Sequence, residues 1–414
     1  MELPLPARPA SPKTLLLVGS GYQIGHEHLL SHLGTAADVV LLDVVEPTWQ
    51  KPWVTDFETY DPDAHPFPLE QARKLVERHD VKAVITYNEP DVLLAAQLAE
   101  ALGIPGLPVR AAEICRDKLR QREVLAELSP TVSVLVHDVE EGLEVAEQIG
   151  YPLIVKPRAL SGSAGVCRID DPEDFVRYFR LAADIDKKGM VSDGILIEEF
   201  LDGVEFDVDV WSSGGKAEVL YWCPKSFDFD PHPIEIGYVC GEGALDIEPL
   251  AEGFALACAA VLAVGIDRTL SHVEVKMTSK GPRIIELNGR PGGDMLSKMV
   301  HMAFGLSIGS LLVSAALGEE LEAEIVPDLA AGLKFLYPQR PQLFEGLAEA
   351  PDLRAQPWVH QVGELRPRGT VIEPPPIDFW GRAGWVIVTG THADEVRERL
   401  AEAGRRLAVE GPYV

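Results

Sequence analysis

Short apolar runs alternate with helical stretches through the first hundred or so residues, and this alternation limits the folds open to the chain. Thr14 to Val18, Val39 to Leu42 and Val81 to Thr86 are too short for helices and read as strands. Leu69 to Arg78 and Asp91 to Leu102 have helical character, and Gly103-Ile104-Pro105-Gly106 closes the second. Strands alternating with helices build a parallel sheet with helices on its faces. Gly19-Ser20-Gly21-Tyr22-Gln23-Ile24-Gly25 follows the first strand, and Asp43 ends the second. The spacing is G-x-G-x-x-x-G, with Ile24 where a dinucleotide fingerprint needs its third glycine, so the loop is read as a tight strand-to-helix turn. His26-Glu27-His28 lacks the H-E-x-x-H spacing of a zinc helix and is not read as a metal site.

Beyond this segment the pattern becomes mixed. One helix is expected from about Arg110 through Leu128, ahead of Pro130. Leu153 to Val155 reads as a strand stopped by Lys156-Pro157, followed by the small-residue loop Ser161-Gly162-Ser163-Ala164-Gly165. Asp171-Pro172-Glu173 opens a helix reaching Ala183. Gly194 to Ile197 and Glu205 to Trp211 are strands around Asp202-Gly203. Phe254 to Ile266 is a core helix, too short to span a bilayer. His272 to Met277 and Arg283 to Leu287 flank Ser279-Lys280-Gly281-Pro282 as an antiparallel hairpin. Toward the end, Pro374-Pro375-Pro376 separates short strands, Trp385 to Val388 is a strand and Asp394 to Leu400 a helix. No repeat or low-complexity tract interrupts the chain.

The 414 residues suggest two or three folding units. With 37 basic against 65 acidic residues the formal net charge is −28, which opposes non-specific nucleic-acid binding and adhesion to anionic membranes. The five cysteines, Cys115, Cys167, Cys223, Cys240 and Cys258, include no C-x-x-C pair and fit a reducing cytoplasm. Met1 to Lys13 is Pro-rich and lacks the basic-then-apolar order of a signal peptide.

Three segments carry the chemistry. In the hairpin, Glu286, Asn288 and Arg290 alternate and project to one side, with Glu274 on the partner strand. Acids on one face of a hairpin are more often a solvated surface. Here Asn288, Arg290 and the intervening Ile284, Ile285 and Leu287 weaken that reading and leave a metal site and a solvated surface equally open. Two carboxylates and an amide oxygen are hard ligands suited to Mg²⁺, and Arg290 adds a bidentate cation for phosphate or carboxylate. Lys156 with the Ser161–Gly165 loop offers a point charge and closely spaced backbone N–H groups to phosphate, although no P-loop pattern is present. Read alone, that loop is a flexible turn. Glu198-Glu199-Phe200-Leu201-Asp202-Gly203-Val204-Glu205 offers backbone groups to a base edge and a carboxylate to a ribose, or is simply a strand, a turn and a strand.

In order, these pieces resemble the ATP-grasp superfamily. The matching elements are Lys118, Lys156 with its loop, Glu198 to Glu205, and Glu274 with Glu286-x-Asn288-x-Arg290, over roughly residues 110 to 310. The resemblance implies an N-terminal parallel α/β domain over 1–112. An ATP-grasp fold of two α+β subdomains follows over 113–325, with the ATP lid within 113–200. A small C-terminal α+β domain completes the chain over 326–414. It also implies roles. Lys118, Lys156 and Lys225 contact ATP, and Ser161, Gly162 and Ser163 close over the triphosphate. Glu198 and Glu199, with the backbone of Phe200 or Leu201, hold the adenine edge, and Glu205 holds the ribose. Glu274, Glu286 and Asn288 bind two Mg²⁺, with Mn²⁺ the alternative ion and Glu286 the bridge.

Asn288-Gly289-Arg290-Pro291-Gly292-Gly293-Asp294 resembles the amino-acid ligase branch, in which Arg290, Gly292 and Gly293 hold a substrate carboxylate. His232-Pro233-Ile234-Glu235-Ile236-Gly237-Tyr238 resembles that branch's Glu-x-x-His stretch, with Glu235 near the amino group and Tyr238 in place of the usual histidine. Gly381 to Trp385 resembles its small final domain. The implied reaction is ATP-dependent amide formation between a small carboxylate and an amine through an acyl phosphate, with Glu286 and Arg290 as the catalytic residues. The alternative is another ATP-grasp reaction, a carboxylase or purine-pathway ligase. A homodimer is the family-level expectation, while the cysteines point to the cytoplasm and the charge to no nucleic-acid or membrane partner.

Overall fold

The structure, a computed structural model, describes residues 13–185, 193–245, 250–322 and 325–414. Apart from Lys13, the Pro-rich start read as no signal peptide lies outside them.

The N-terminal strands form a four-stranded parallel sheet in the order Asp56–Thr59, Asp38–Asp43, Thr14–Val18, Val81–Ile85. Side chains of a strand alternate between faces. Leu15 and Leu17 therefore pack with Leu29, Leu30 and Leu33 of the helix Gln23–Ala36, while Leu16 and Val18 meet Leu75 and Leu98 on the other face. Both faces are covered, which is why these strands are apolar throughout. At Gly19 a Cβ would lie 1.8 Å from the Asp91 carboxylate, and at Gly21 2.5 Å from the His26 ring. The glycine turn is thus filled by the chain's own side chains.

A second sheet, antiparallel, has the order Ser133–Val136, Ile195–Glu199, Leu153–Pro157, Cys167–Ile169. Phe175 and Phe179 of the helix Pro172–Ala183 cover it. The third sheet has eight strands: Gly281–Asn288, Thr269–Thr278, Val204–Ser213, Lys216–Asp228, Ile234–Gly241, Ala330–Leu336, Gly384–Gly390 and Val359–Glu364. Strand pairing continues across residue 326, because Ile234–Gly241 pairs with Ala330–Leu336. The C-terminal segment therefore extends this sheet, adding the helix Ala393–Arg405 and two short ribbons. Phe206, Val208 and Val210 pack under the helix Leu250–Val264. Their neighbours Asp207 and Asp209 fall on the opposite face.

Several expected boundaries move. The helix expected over 110–128 is two, Val109–Cys115 and Lys118–Val124. Asp117 breaks it. Its carboxylate caps the second helix by accepting from the N–H groups of Leu119 (3.1 Å) and Arg120 (3.3 Å), and Arg158 Nε donates to it at 2.9 Å. The strand expected to stop at Val155 runs through Lys156 to Pro157, and the one ending at Ile197 runs to Glu199. The long strands Lys216–Asp228 and Ile234–Gly241 had no expected counterpart. No single helix among the described residues is long and apolar enough to cross a membrane.

The helix Ile308–Leu317 docks the N-terminal unit onto the large sheet. At Gly309 a Cβ would come within 2.4 Å of Leu33 N and 2.7 Å of Leu29 O, both backbone atoms that cannot turn aside. Gly309→Ala is expected to push the two helices apart and destabilise the chain by about 1–3 kcal/mol, read from its urea midpoint.

Candidate active site

Four strands of the large sheet present one polar face. In register, Glu205 stands beside Lys276, Asp207 beside Glu274 and Asp209 beside His272; across the hairpin Glu274 faces Glu286 and His272 faces Asn288. Like charges directly opposite each other are destabilising. Lys225, from the next strand, compensates: its Nζ is 2.8 Å from Glu274, 3.0 Å from Asp207, 3.6 Å from Glu205 and 3.9 Å from Glu235. Burial would lower the Lys225 pKa, but these four acids hold it well above the usual lysine range. Burial likewise opposes ionisation of Glu274, yet Lys225 and His272 hold its carboxyl at about 2. His272, despite burial, is raised to about 9 by Asp207 and Asp209.

Hard oxygen donors remain on this face. Glu274, Glu286 and Asn288 line one cavity of about 560 Å³. Asp207, His272 and Glu274 are, among the described residues, the one group of three metal-ligating side chains whose donor atoms lie within 4.8 Å of one another. The oxygen donors Glu274, Glu286 and Asn288 fit a divalent cation with oxygen preference.

The second sheet, where the lid is expected, closes the cavity from the other side. Lys156 Nζ lies 2.5 Å from Glu198, whose carboxylate also takes both Nε (2.8 Å) and Nη2 (3.1 Å) of Arg122. Burial raises the Glu198 pKa, but Arg122 and Lys156 outweigh it and hold the carboxyl at about 2. Lys156 shares that carboxylate with Arg122; burial, with Arg122 and Lys118 nearby, lowers its ammonium to about 8. Lys118 Nζ donates to Leu160 O at 2.6 Å and lies 3.1 Å from Glu286. The loop between the lid strands has positive φ at Gly162 (68°), Ser163 (55°) and Gly165 (72°), the backbone condition for a tight anion-binding turn. Phe200 and Leu201 form part of the same wall, with Arg168 4.4 Å and Lys276 5.4 Å from the Phe200 ring. Leu160 and Ala164 pack on Ile234 and Phe379, so the loop rests on the C-terminal segment.

At the far end, Arg290 Nε donates to Glu89 Oε2 at 2.6 Å, and Glu89 also pairs with Arg116. Asp294 collects three partners: Tyr22 Oη at 2.9 Å, Arg382 Nη1 at 2.8 Å and Tyr238 Oη at 3.5 Å. Arg382 also lies 3.7 Å from Glu235. Burial raises Glu235 to about 8, and its Oε1 makes no hydrogen bond.

The sequence-nominated residues meet in this cavity with one exception. Lys118, Lys156, Ser161, Gly162, Ser163, Glu198, Glu199, Phe200, Leu201, Glu205, Lys225, Glu235, Tyr238, Glu274, Glu286, Asn288, Arg290 and Gly293 all line it. Gly292 stands outside the wall; its N–H donates to Asp209 Oδ2 at 2.7 Å and is not directed to a ligand. The side chains of Glu198 and Glu199 are also engaged, Glu199 accepting from Val132 N at 2.9 Å. Sequence reading missed Asp207, Asp209, His272, Glu89, Asp294, Arg122 and Arg382. The first three were within reach, because they share the two-residue period of Glu205 and Glu274. The others arrive by tertiary contact alone.

Comparisons with known proteins agree with this geometry. An ATP-grasp domain model matches residues 149–298, and an L-amino acid ligase C-terminal domain 2 model matches 334–410. An alanine–anticapsin ligase of Bacillus subtilis is 29% identical over 265 residues, 59% of this chain and 56% of that protein. A D-alanine–D-alanine ligase of Stutzerimonas stutzeri is 30% identical over 239 residues, 55% of this chain and 72% of that protein. The chain spans between 26% and 56% of the length of the first curated relatives it matches. The solved structure of an L-amino acid ligase from Bacillus licheniformis shares the fold, with a TM-score of 0.82 and 24% identity over 97% of this chain and 99% of that one. With the hard-oxygen hairpin, the paired lysines and the lid sheet on one cavity, the chain belongs to the ATP-grasp family and carries the C-terminal domain of its L-amino acid ligase branch.

Proposed function

We propose that the chain is an ATP-dependent carboxylate–amine ligase that forms an amide, dipeptide-like in kind, and releases ADP and phosphate. The supporting observation is a single cavity that joins two lysines and a left-handed glycine loop, a hard-oxygen cluster, and an arginine-lined far end. In this reading Lys118, Lys156 and the amides of Ser161 to Ser163 hold the triphosphate of the substrate ATP. The strand edge at Glu198 to Leu201 receives the adenine, and Glu205 the ribose. Glu274, Glu286 and Asn288 hold Mg²⁺, or Mn²⁺ in its place, which when bound neutralises charge on the transferring phosphoryl group. Lys225 sits among the acids and limits their repulsion; Arg290 and Gly293 receive a substrate carboxylate; Glu235 and Tyr238 face the amine. A cytoplasmic homodimer is the setting this reading brings with it.

A carboxylate repels nucleophiles through its own charge. Its oxygen attacks the γ-phosphorus, the bond to ADP breaks, and the resulting acyl phosphate is a good acyl donor. The amine then adds to the carbonyl carbon, Arg290 stabilises the oxyanion, and phosphate leaves. Glu89 holds the Arg290 fork in place. The packing of Leu160 and Ala164 on Phe379 excludes the water that would otherwise hydrolyse the acyl phosphate.

ADP release in a screen of amino acids and small acids is expected to require a carboxylate and an amine together, with a product mass equal to their sum less water. ADP release driven by bicarbonate would overturn this reading in favour of a carboxylase. Glu286→Gln is expected to raise the Mg²⁺ concentration for half-maximal turnover by about tenfold or more, measured by magnesium titration of ADP release. The Lys156 ammonium, lowered to about 8, is charged below that pH and neutral above it. The kcat/KM for ATP is therefore expected to fall as pH rises through about 8, and Lys156→Arg, which keeps its charge, to flatten that limb.

A further inference from the structure

His28 and His32 lie one turn apart on the helix Gln23–Ala36 and share a face. His301 comes from the helix Leu296–Phe304, which packs across them. The ring centroids are 4.3 Å apart for His28 and His32, 4.7 Å for His32 and His301, and 5.5 Å for His28 and His301. Three imidazoles around a tetrahedral ion, with metal–nitrogen bonds of about 2.0–2.1 Å, place their centroids about 5 Å apart. Nothing in the ligase chemistry uses this cluster, and these three side chains do not line the cavity.

Two of the rings have surroundings that suit a ligand. His28 Nδ1 is buried with no hydrogen-bond partner. His301 Nδ1 contacts the Leu306 carbonyl at 3.1 Å, the second-shell bond that orients a ligating imidazole and leaves its Nε2 for the ion. Burial, with the neighbouring histidines, lowers His28 to about 3 and His32 to about 4, so both rings are neutral near pH 7. His32 is buried, whereas His28 and His301 are half-buried, leaving an entry path. Lys298 and His360 are the other basic groups near His28, and Lys298 donates to Gln361 Oε1 at 2.5 Å. The three histidines are not a preformed ligand set among the described residues, so an ion must turn the half-buried rings inward.

We propose that His28, His32 and His301 form a second metal site, selective for a borderline divalent cation such as Zn²⁺ over Mg²⁺ because every ligand is an imidazole. The bound ion would pin the first helix of the N-terminal unit to the helix that follows the Arg290–Asp294 segment.

The test is titration of the full chain with Zn²⁺ at neutral pH, in a Glu274→Gln/Glu286→Gln background that removes two of the acidic side chains of the active site. One Zn²⁺ per chain is expected to bind, and Co²⁺ in its place to show the visible bands of a tetrahedral nitrogen-rich site. His28→Gln and, separately, His301→Gln are each expected to weaken binding by about tenfold or more. Both side chains are half-buried, and a thermal melt checks that each variant is folded. Absence of Zn²⁺ binding in that background, or unchanged affinity in both histidine variants, would overturn the proposal.

Discussion

The site depends on the buried ion group of Arg122, Glu198 and Lys156. It ties the lid sheet to the hairpin, since Arg122 binds the Glu198 carboxylate and also donates to the backbone carbonyls of Ile284 (3.2 Å) and Ile285 (2.8 Å). Those carbonyls belong to Gly281–Asn288, the edge strand of the large sheet. An edge strand leaves a row of backbone groups unpaired. Gln121 takes up both the N–H and the C=O of Leu287, and Ser129 Oγ accepts from Ile284 N at 2.8 Å. One short helix and the turn after it thus satisfy the edge and fix the strand that carries Glu286 and Asn288. Removing one partner of such a group would strand a buried charge, a loss of about 3–5 kcal/mol.

The face this helix secures carries more acid than a sheet tolerates without help. Glu205, Asp207, Asp209, Glu274 and Glu286 crowd neighbouring strands, with Lys225, Lys118, Lys276 and a protonated His272 among them. Fixed cations lessen the repulsion, and hard oxygens left facing the cavity have metal-binding chemistry. The far end uses the same principle on a smaller scale. Asp294, held at a positive φ of 51°, gathers Tyr22 from the N-terminal unit, Tyr238 from the sheet and Arg382 from the C-terminal segment. A strained backbone at the meeting point of three units marks a position held by its surroundings.

Much of this architecture was legible in local sequence. Leu69–Arg78 and Thr14–Val18 have the bounds their periodicity gives, and the hairpin sets Glu274 opposite Glu286 as its alternation requires. The helix expected over 110–128 was misread because propensity favours continuation, whereas Asp117 gains capping bonds and a partner in Arg158 by stopping it. Gly292 was nominated from its place in a glycine-rich segment, but its amide is taken by Asp209, 83 residues away in the chain. His28 reads in sequence as half of an unpromising His26-Glu27-His28. In space His26 stacks on Tyr87 and His28 turns to His32 and His301.

The sequence by itself determined the alternation of strands and helices, the hairpin and the order of the lysines, loop and hard-oxygen side chains. Each of these depends on residues close in the chain, where a period of 2 or 3.6 decides which side chains share a face. Only the tertiary structure decided which nominated groups are engaged by other residues, how far the large sheet extends beyond residue 326, and that Asp294 and Arg382 close the far end of the cavity with Glu89 holding Arg290. Those outcomes rest on ion pairs and hydrogen bonds between residues 88 to 272 positions apart, such as Arg382 with Asp294 and Tyr22 with Asp294. No local pattern specifies such pairs, because their partners become neighbours only when buried charges must find one another in the folded chain.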